Sequence, residues 1–175
     1  RMRPPRQQQI DRNSRLMKAM VARRHQLIGI RTAENNRLEH ALDKVIARSI
    51  NRILKTIDRE IEKTEMEIQK QLASMPELEN KAHIIHSAPG IGKTTATMLG
   101  TEMPELGLLN RRQIAMLIGT APINRDSGTF RGKRMTGGGR RNVRSRLYMP
   151  TLVAIRHNPP IRRFYQHLLA KGKAK

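Results

Sequence analysis

The chain has 175 residues, with 35 lysine and arginine side chains against 14 aspartate and glutamate side chains, and a formal net charge of +21. Such an excess of positive charge attracts polyanions, so nucleic acid is the expected partner, and no apolar run approaches the ~18 residues that a membrane span needs. The absence of cysteine excludes disulfides and thiolate metal sites and fits a reducing compartment.

Residues 1–75 are predicted to form a long helical arm. Apolar side chains recur there at steps of mostly three or four, with charges of both signs between them, which is typical of a coiled coil or helical hairpin. The stripe consists of Leu38, Leu42, Val45, Ile46, Ile50, Ile53, Leu54, Ile57, Ile61, Ile68 and Leu72. An earlier helix is predicted over about 14–31, and the sequence leaves open whether Asn35 and Asn36 interrupt it. We expect the arm to associate with a second copy of itself, to pack onto other parts of the protein, or to do both.

Residues 76–175 are predicted to form a compact second domain, which begins with short helices separated by Gly and Pro turns over 76–122. The segment SAPGIGKTT is not a nucleotide-binding P-loop, because Ser87 stands where that motif requires Gly and no buried strand precedes it. We predict a helix–hairpin–helix-like turn, in which backbone N–H groups approach a nucleic-acid phosphate at the start of the next helix. Its residues are Gly90, Gly92, Lys93 and Thr94. The alternative is an ordinary turn between packed helices.

Residues 123–146 contain five of the twelve glycines and eight basic residues against a single acid. The basic residues are Arg125, Arg131, Lys133, Arg134, Arg140, Arg141, Arg144 and Arg146. This composition predicts a flexible or extended cationic loop that enters a helix near Asn142, with a solvated loop as the alternative. Neutralising phosphates with such side chains releases counterions and favours binding. We expect one group of these side chains to hold a phosphate: Arg131, Lys133 and Arg134. We expect a second group to steer the strand: Arg140, Arg141 and Arg144.

Three side chains could attack a phosphodiester. Ser127 lies between Asp126 and Gly128 in the cationic segment, so a nucleophile, a flexible backbone and cations occur together. From these residues alone, a serine that only forms a turn is the stronger interpretation. Tyr148 and Tyr165 are the rival nucleophiles. The position of Tyr148 in an apolar helix predicts a core residue, and a packing role is predicted for Tyr165 as well.

No metal site is predicted. His83 and His86 are three residues apart without further ligands nearby, and the few carboxylates after residue 76 are not spaced for a two-metal site. The sequence Asn158-Pro159-Pro160 predicts a break between two C-terminal helices.

Three segments resemble, in order, the C-terminal transposase domain of the insertion sequence 110 family. They are SAPGIGKTTATML, MPELGLLNRRQIAMLIGTAPINRDSGTFRGKR and GGGRRNVRSRLYMPTLVAIRHNPPIRRFYQHLLAKGK. The resemblance covers about residues 80–173, and the preceding helical region is similar to the coiled coil of that family. DNA invertases related to the family share the domain.

The resemblance implies that Ser127, in the Ser127-Gly128 pair, attacks a DNA phosphodiester and forms a covalent phosphoserine link. It implies DNA and a structured bridge RNA as partners, a dimer or tetramer formed through the helical arm, and a bacterial cytoplasmic, nucleoid-associated location. Family members also carry an N-terminal RuvC-like domain with an Asp-Glu-Asp-Asp site for Mg²⁺, which this sequence lacks. We therefore expect a C-terminal portion without a cofactor of its own that binds nucleic acid but does not recombine DNA alone.

The fold prediction is all-α, with a coiled-coil arm over 1–75 and a transposase domain over 76–175. The functional prediction is a serine-nucleophile transposase or recombinase. Two alternatives belong to other classes: a non-enzymatic basic helix–hairpin–helix protein that binds nucleic acid, and a tyrosine-type recombinase that uses Tyr148.

Overall fold

A computed structural model of the chain describes residues 11–124 and 126–173. The chain divides into two compact units, with the boundary between Glu77 and Leu78. Within the described ranges it forms seven α-helices and one two-stranded sheet, so the prediction of an all-α protein is confirmed. None of these helices is both long and apolar enough to cross a membrane.

The first unit is an antiparallel pair of helices, α1 (Arg12–Glu39) and α2 (Lys44–Ala73). Two ion pairs define the direction: Arg24 Nε donates to Glu65 Oε1 at 2.7 Å, and Arg31 Nε lies 2.6 Å from Asp58 Oδ1. A step of seven residues forward along α1 thus moves the partner seven residues back along α2.

Helix α1 continues through Asn35 and Asn36, so these residues do not interrupt it, and it extends beyond the predicted 14–31 at both ends. No Gly or Pro follows Gly29 before the turn, and nothing in this stretch breaks the hydrogen-bond ladder. The chain reverses over residues 40–43, where the Asp43 carboxylate caps α2 by accepting a hydrogen bond from the Val45 amide at 2.5 Å.

The predicted apolar stripe of α2 is buried only along part of its length. Ile50, Leu54, Ile57, Ile68 and Leu72 are buried, and α1 contributes Met17, Val21 and Leu27 to the same core. Each such side chain stabilises the pair by about 1.5–3 kcal/mol when fully buried. The stripe is therefore not buried uniformly. Four of its side chains near the turn are exposed in this unit: Leu42, Val45, Ile46 and Ile53.

The second unit is built around one helix. The unit contains α3 (Pro76–His86) from Leu78 onward. The other elements are α4 (Lys93–Glu102), α5 (Arg111–Ile118), β1 (Pro122–Ile123), β2 (Met135–Thr136), α6 (Arg141–His157) and α7 (Pro159–Ala170). Helix α6 contacts α4, α5 and α7, and its buried residues are Val143 and Ala154. The rest of the core is aliphatic and comes mainly from α3, α4 and α5: Ala82, Ala96, Met98, Leu99, Met103 and Ile118.

The ends of the helices follow from local sequence. Asn110 and Gln113 form a reciprocal capping box at the start of α5. Asn158 ends α6 and caps α7 by accepting a hydrogen bond from the Ile161 amide at 3.4 Å, and Pro159 occupies the first position of α7. The predicted helix break at Asn158–Pro160 is therefore confirmed.

Candidate functional site

The Gly- and Arg-rich segment forms a β-hairpin instead of an irregular loop. Its stem pairs β1 with β2 in antiparallel register, Pro122 opposite Thr136 and Ile123 opposite Met135. Helix α6 then begins at Arg141, one residue before the predicted entry near Asn142. The short strands have no alternating apolar pattern, so sequence periodicity provided no signal for them.

Ser127 lies at the tip of this hairpin. Ser127 and Phe130 form an antiparallel bridge in which each backbone amide donates to the carbonyl of the other residue, with both N···O distances 3.0 Å. Gly128, with a φ of +57°, occupies the first of the two central positions, where a two-residue hairpin turn favours Gly. The side chain of Ser127 is exposed, and its hydroxyl makes no hydrogen bond to another described residue.

Three of the predicted phosphate-binding residues follow the tip. Arg131, Lys133 and Arg134 are all exposed, and none of their side chains has an ion-pair or hydrogen-bond partner in residues 11–124 and 126–173. Asp126, the acid of the segment, accepts a hydrogen bond from the Gly132 amide at 3.2 Å. Arg125 lies outside the described residues. Among the described residues, the hairpin therefore carries at least three unpaired cations within seven residues of Ser127 in the sequence.

The base of the hairpin is held by close contact between two backbones. A Cβ atom on Gly139 would lie 2.5 Å from the Gly119 nitrogen and 2.6 Å from the Leu117 carbonyl oxygen. Across this contact, the Arg140 amide donates to the Leu117 carbonyl at 2.8 Å. Gly139 has a φ of +59°, a conformation that glycine adopts without strain. The missing side chain of Gly139 thus permits close packing within the protein.

Arg144 closes the same contact from α6. Its Nη1 donates to the Gly138 carbonyl at 2.8 Å and to the Ile118 and Gly119 carbonyls at 3.2 Å. One guanidinium group therefore joins the end of α5 to the return strand of the hairpin. The structure gives this predicted strand-steering residue an internal set of partners.

Arg140 is also engaged within the protein. Its Nη1 and Nη2 form a bidentate pair with the Glu105 carboxylate at 2.7 and 2.5 Å, and Nη1 also donates to the Glu102 carbonyl at 2.7 Å. The hydrogen bond with Glu105 raises the pKa of Arg140, against a smaller opposing effect of burial. The other predicted steering residue, Arg141, is exposed and has no side-chain partner among the described residues.

Two carboxylates that the sequence did not single out connect α4 to α6. Glu105 holds Arg140, and Glu102 Oε1 lies 2.5 Å from Arg146 Nη1 with both side chains largely buried. Both acids fall at or just after the end of a helix whose buried run, Ala96 to Thr101, is visible in the sequence. Their partners are 35 and 44 residues away, beyond the reach of any local pattern.

The predicted helix–hairpin–helix-like turn lies between α3 and α4, and its four residues divide into two groups. Gly90 faces the protein: its φ is +102°, and an added Cβ would lie 2.9 Å from Ala154 of α6. Gly92, Lys93 and Thr94 lie at the start of α4, where the side chains of Lys93 and Thr94 are exposed. Gly92 supplies no side-chain cap, so the first amides of α4 have no side-chain acceptor from that position.

The expectation that Tyr148 lies in the core is wrong. Its side chain is 64% exposed. The inward stripe of α6 runs from Val143 through Leu147 to Ala154, and Tyr148 is one residue, or about 100°, away from that stripe. The sequence correctly predicts a helix with apolar residues here, but it does not predict which face of the helix is buried.

No metal centre is found in the part of the chain that the structure describes, where no three His, Asp or Glu side chains converge. His83 and His86 are both exposed on α3, and His86 Nδ1 lies 2.8 Å from the Ile91 carbonyl oxygen, across the turn. The described residues do not fit a metal site.

Part of the chain is similar in sequence to known proteins. Residues 82–166 match the model of the transposase IS116/IS110/IS902 family. Two similar curated proteins are the pilin gene-inverting proteins of Moraxella bovis and Moraxella lacunata, each 31% identical over 104 residues, or 57% of this chain. The match spans 32% of each of these relatives, so the chain corresponds to about a third of their length.

The matched range contains the turn before α4, the hairpin that carries Ser127 and all of α6. The resemblance found in the three sequence segments is thereby confirmed. Over residues 82–166, a little under half of its length, the chain is similar to the IS116/IS110/IS902 family of transposases.

Proposed function

We propose that the second unit is the catalytic portion of a transposase that cuts and rejoins DNA, with Ser127 as the nucleophile. The observation that carries the proposal is the exposed Ser127 hydroxyl at a hairpin tip, followed by three cations that have no side-chain partner within 11–124 and 126–173: Arg131, Lys133 and Arg134. The name of the two relatives, pilin gene-inverting protein, supports DNA rearrangement as the reaction class.

In the proposed step, Ser127 Oγ attacks the phosphorus atom of a phosphodiester. A P–Oγ bond forms, the bond from phosphorus to one sugar oxygen breaks, and that oxygen leaves as a hydroxyl after taking up a proton. Oγ loses its own proton, so the number of protons is conserved. The guanidinium and ammonium groups of Arg131, Lys133 and Arg134 stabilise the negative charge that gathers on the non-bridging oxygens in the transition state. No residue among those described is assigned to hold a metal ion, since they do not form a metal site.

Two helix starts supply further positive potential for the nucleic-acid backbone. Helix α4 begins with Lys93 and Thr94 and helix α6 with Arg141, and neither has an acidic residue in its first turn or a side-chain cap. Positive side chains at the positive end of a helix dipole are unfavourable in isolation. At α4, a bound phosphate removes this cost by accepting hydrogen bonds from the first amides and neutralising Lys93. At α6, where the Arg141 amide already donates to the Gly139 carbonyl at 3.0 Å, the phosphate neutralises the Arg141 side chain. We therefore place the strand along Gly92–Thr94 and Arg141, with Gly90, Arg140 and Arg144 holding the surface in shape.

The partners follow from the same proposal. DNA is the substrate, and a structured guide RNA is the second nucleic acid. The arm mediates a dimer or tetramer, which is supported by the exposed apolar residues at its turn, Leu42, Val45 and Ile46. These side chains are the part of the predicted coiled-coil stripe that α1 leaves uncovered.

The experiment that tests the function is the capture of a covalent protein–DNA adduct in the protein as its gene encodes it, supplied with its RNA. Ser127→Ala is expected to abolish the adduct, whereas Tyr148→Phe is expected to retain it. Loss of the adduct in Tyr148→Phe with retention in Ser127→Ala would instead identify a tyrosine recombinase. Salt-sensitive DNA binding without any adduct would identify a non-enzymatic binding protein.

A further inference from the structure

Phe130 is an exposed aromatic side chain beside the candidate nucleophile. It is one of only two phenylalanines in the chain, and 68% of its surface is exposed. The neighbouring residues from 126 to 131 are exposed as well, so the ring covers no part of the described core. An aromatic ring contributes to stability by burial, and Phe130 does not make that contribution.

The backbone fixes the relation between this ring and Ser127. The two residues exchange both backbone hydrogen bonds at 3.0 Å, which makes them a directly opposed, hydrogen-bonded antiparallel pair. Side chains of such a pair emerge on the same face of the hairpin, with Cβ atoms about 5 Å apart. The turn that enforces this arrangement contains only Gly128 and Thr129. The Ser127 hydroxyl and the Phe130 ring are therefore neighbours on one face.

From this placement we propose that Phe130 is a positioning residue that stacks on an unpaired base of the DNA strand whose phosphate Ser127 attacks. Aromatic side chains on positively charged surfaces bind single strands by stacking on bases, and every base offers a face for this contact. Arg131 follows directly in the sequence and adds a positive charge to the hairpin, which attracts the phosphates of a bound strand. The inference deepens the proposed function and rests on it. Stacking by Phe130 requires a locally unpaired base. Fully paired duplex DNA offers phosphates but no such base.

The test compares two single-stranded DNA probes of about 20 nucleotides, one with bases throughout and one with a central run of abasic sites that keeps every phosphate. Binding of the 175-residue chain is measured by fluorescence anisotropy. We expect the wild type to bind the base-containing probe more tightly by at least about fivefold. Phe130→Leu is expected to remove this preference while leaving affinity for the abasic probe and its salt dependence unchanged, and Phe130→Trp is expected to keep it.

The matched control is Phe164→Leu, which changes the other phenylalanine, on α7 and 63% exposed. It is expected to preserve the preference for bases. If wild type and Phe130→Leu discriminate equally between the probes, or if Phe164→Leu has the same effect as Phe130→Leu, the inference is overturned while salt-dependent binding keeps the proposed function intact. A base preference that is found with RNA probes of the same sequence but not with DNA would also overturn it. Absence of salt-dependent binding to every probe would contradict the proposed function itself.

Discussion

Gly119 and Gly139 come so close that neither has room for a side chain. A Cβ on Gly119 would overlap the Gly138 carbonyl oxygen, and one on Gly139 would lie 2.5 Å from the Gly119 nitrogen. Both residues have positive φ angles, +80° and +59°. This contact joins the end of α5 to the return strand of the hairpin and thereby fixes the point from which the hairpin projects.

Replacing Gly139 with Ala should destabilise the second unit. The added Cβ would force the backbones apart and would occupy a left-handed conformation, and together these effects cost about 2–5 kcal/mol. Urea unfolding followed by circular dichroism would measure the decrease in the free energy of unfolding.

Gly137→Ala is the matched control from the same run of three glycines. A Cβ added to Gly137 would meet no atom within 4 Å, and this residue has no positive φ. A change below about 0.5 kcal/mol is expected for this variant, as for most substitutions without a steric or conformational conflict. Equal destabilisation by both variants would show that the close approach of Gly119 and Gly139 does not determine stability.

The Arg140–Glu105 pair should stabilise the junction between α4 and α6. Glu105→Gln removes the charge but keeps the shape, and because both side chains are about one-third exposed, solvent screening limits the expected loss to about 1–2 kcal/mol. Thermal unfolding would measure it. Glu60→Gln, which removes the exposed partner of Lys63, should leave the midpoint unchanged and serves as the control.

The stability that the Arg140–Glu105 pair contributes should not change through deprotonation of Arg140 at ordinary pH. The pKa of Arg140 is raised by its bond to Glu105, so the stabilisation is complete below the pKa of Arg140 in the unfolded chain. It declines only as the pH rises through the still higher folded value. No loss attributable to Arg140 is expected between about pH 6 and pH 10, and a loss in that range that Arg140→Met abolishes would contradict the assignment.

Much of the helical framework could be predicted, because it depends on local chemistry. The break at Asn158-Pro159 and the buried positions of α2 from Ile50 onward follow from capping and spacing that a few neighbouring residues determine. The partners of Arg140 and Arg144 could not be predicted in the same way. All eight basic residues of the segment look alike in the sequence. For the seven that the structure describes, only the folded chain separates the internal ones from those that face solvent.

Arg131, Lys133 and Arg134, which have no side-chain partner among the described residues, should account for part of the salt dependence of DNA binding. Each phosphate that is no longer neutralised reduces the slope of log affinity against log salt by about 0.7–0.9. Replacing Arg131, Lys133 and Arg134 together with Ala is therefore expected to lower the slope by about 2–3 in a filter-binding or anisotropy titration.

A charge-matched control for this experiment is a triple replacement on the surface of the arm, of Lys55, Arg59 and Lys63. It removes the same net charge from α2 and is expected to change the slope by less than about one. A similar decrease in both variants would mean that affinity follows total charge and that the hairpin is not a dedicated phosphate site.

The exposed start of the α2 stripe should mediate self-association. Val45 and Ile46 are 67% and 54% exposed on the first unit, and replacing both with Glu would place charges in an interface built on them. Sedimentation velocity is expected to show an oligomer for the wild type and a monomer for the double variant. Met66→Glu, a similarly exposed apolar site distant along α2, is the control and should leave the oligomer intact. A wild-type chain that remains monomeric at tens of micromolar would reject the proposed role of this surface.

The central claim is that the Ser127 hydroxyl attacks DNA, and trapping the protein–DNA adduct tests it most directly. In the protein as its gene encodes it, with its RNA and a DNA target, denaturing electrophoresis and peptide mass spectrometry should detect a phosphodiester-linked nucleotide on Ser127. Ser127→Ala should reduce the adduct to background, whereas Tyr148→Phe, which removes another exposed hydroxyl, should leave its yield unchanged. An adduct that survives Ser127→Ala, or one whose linkage maps to Tyr148, would contradict the account.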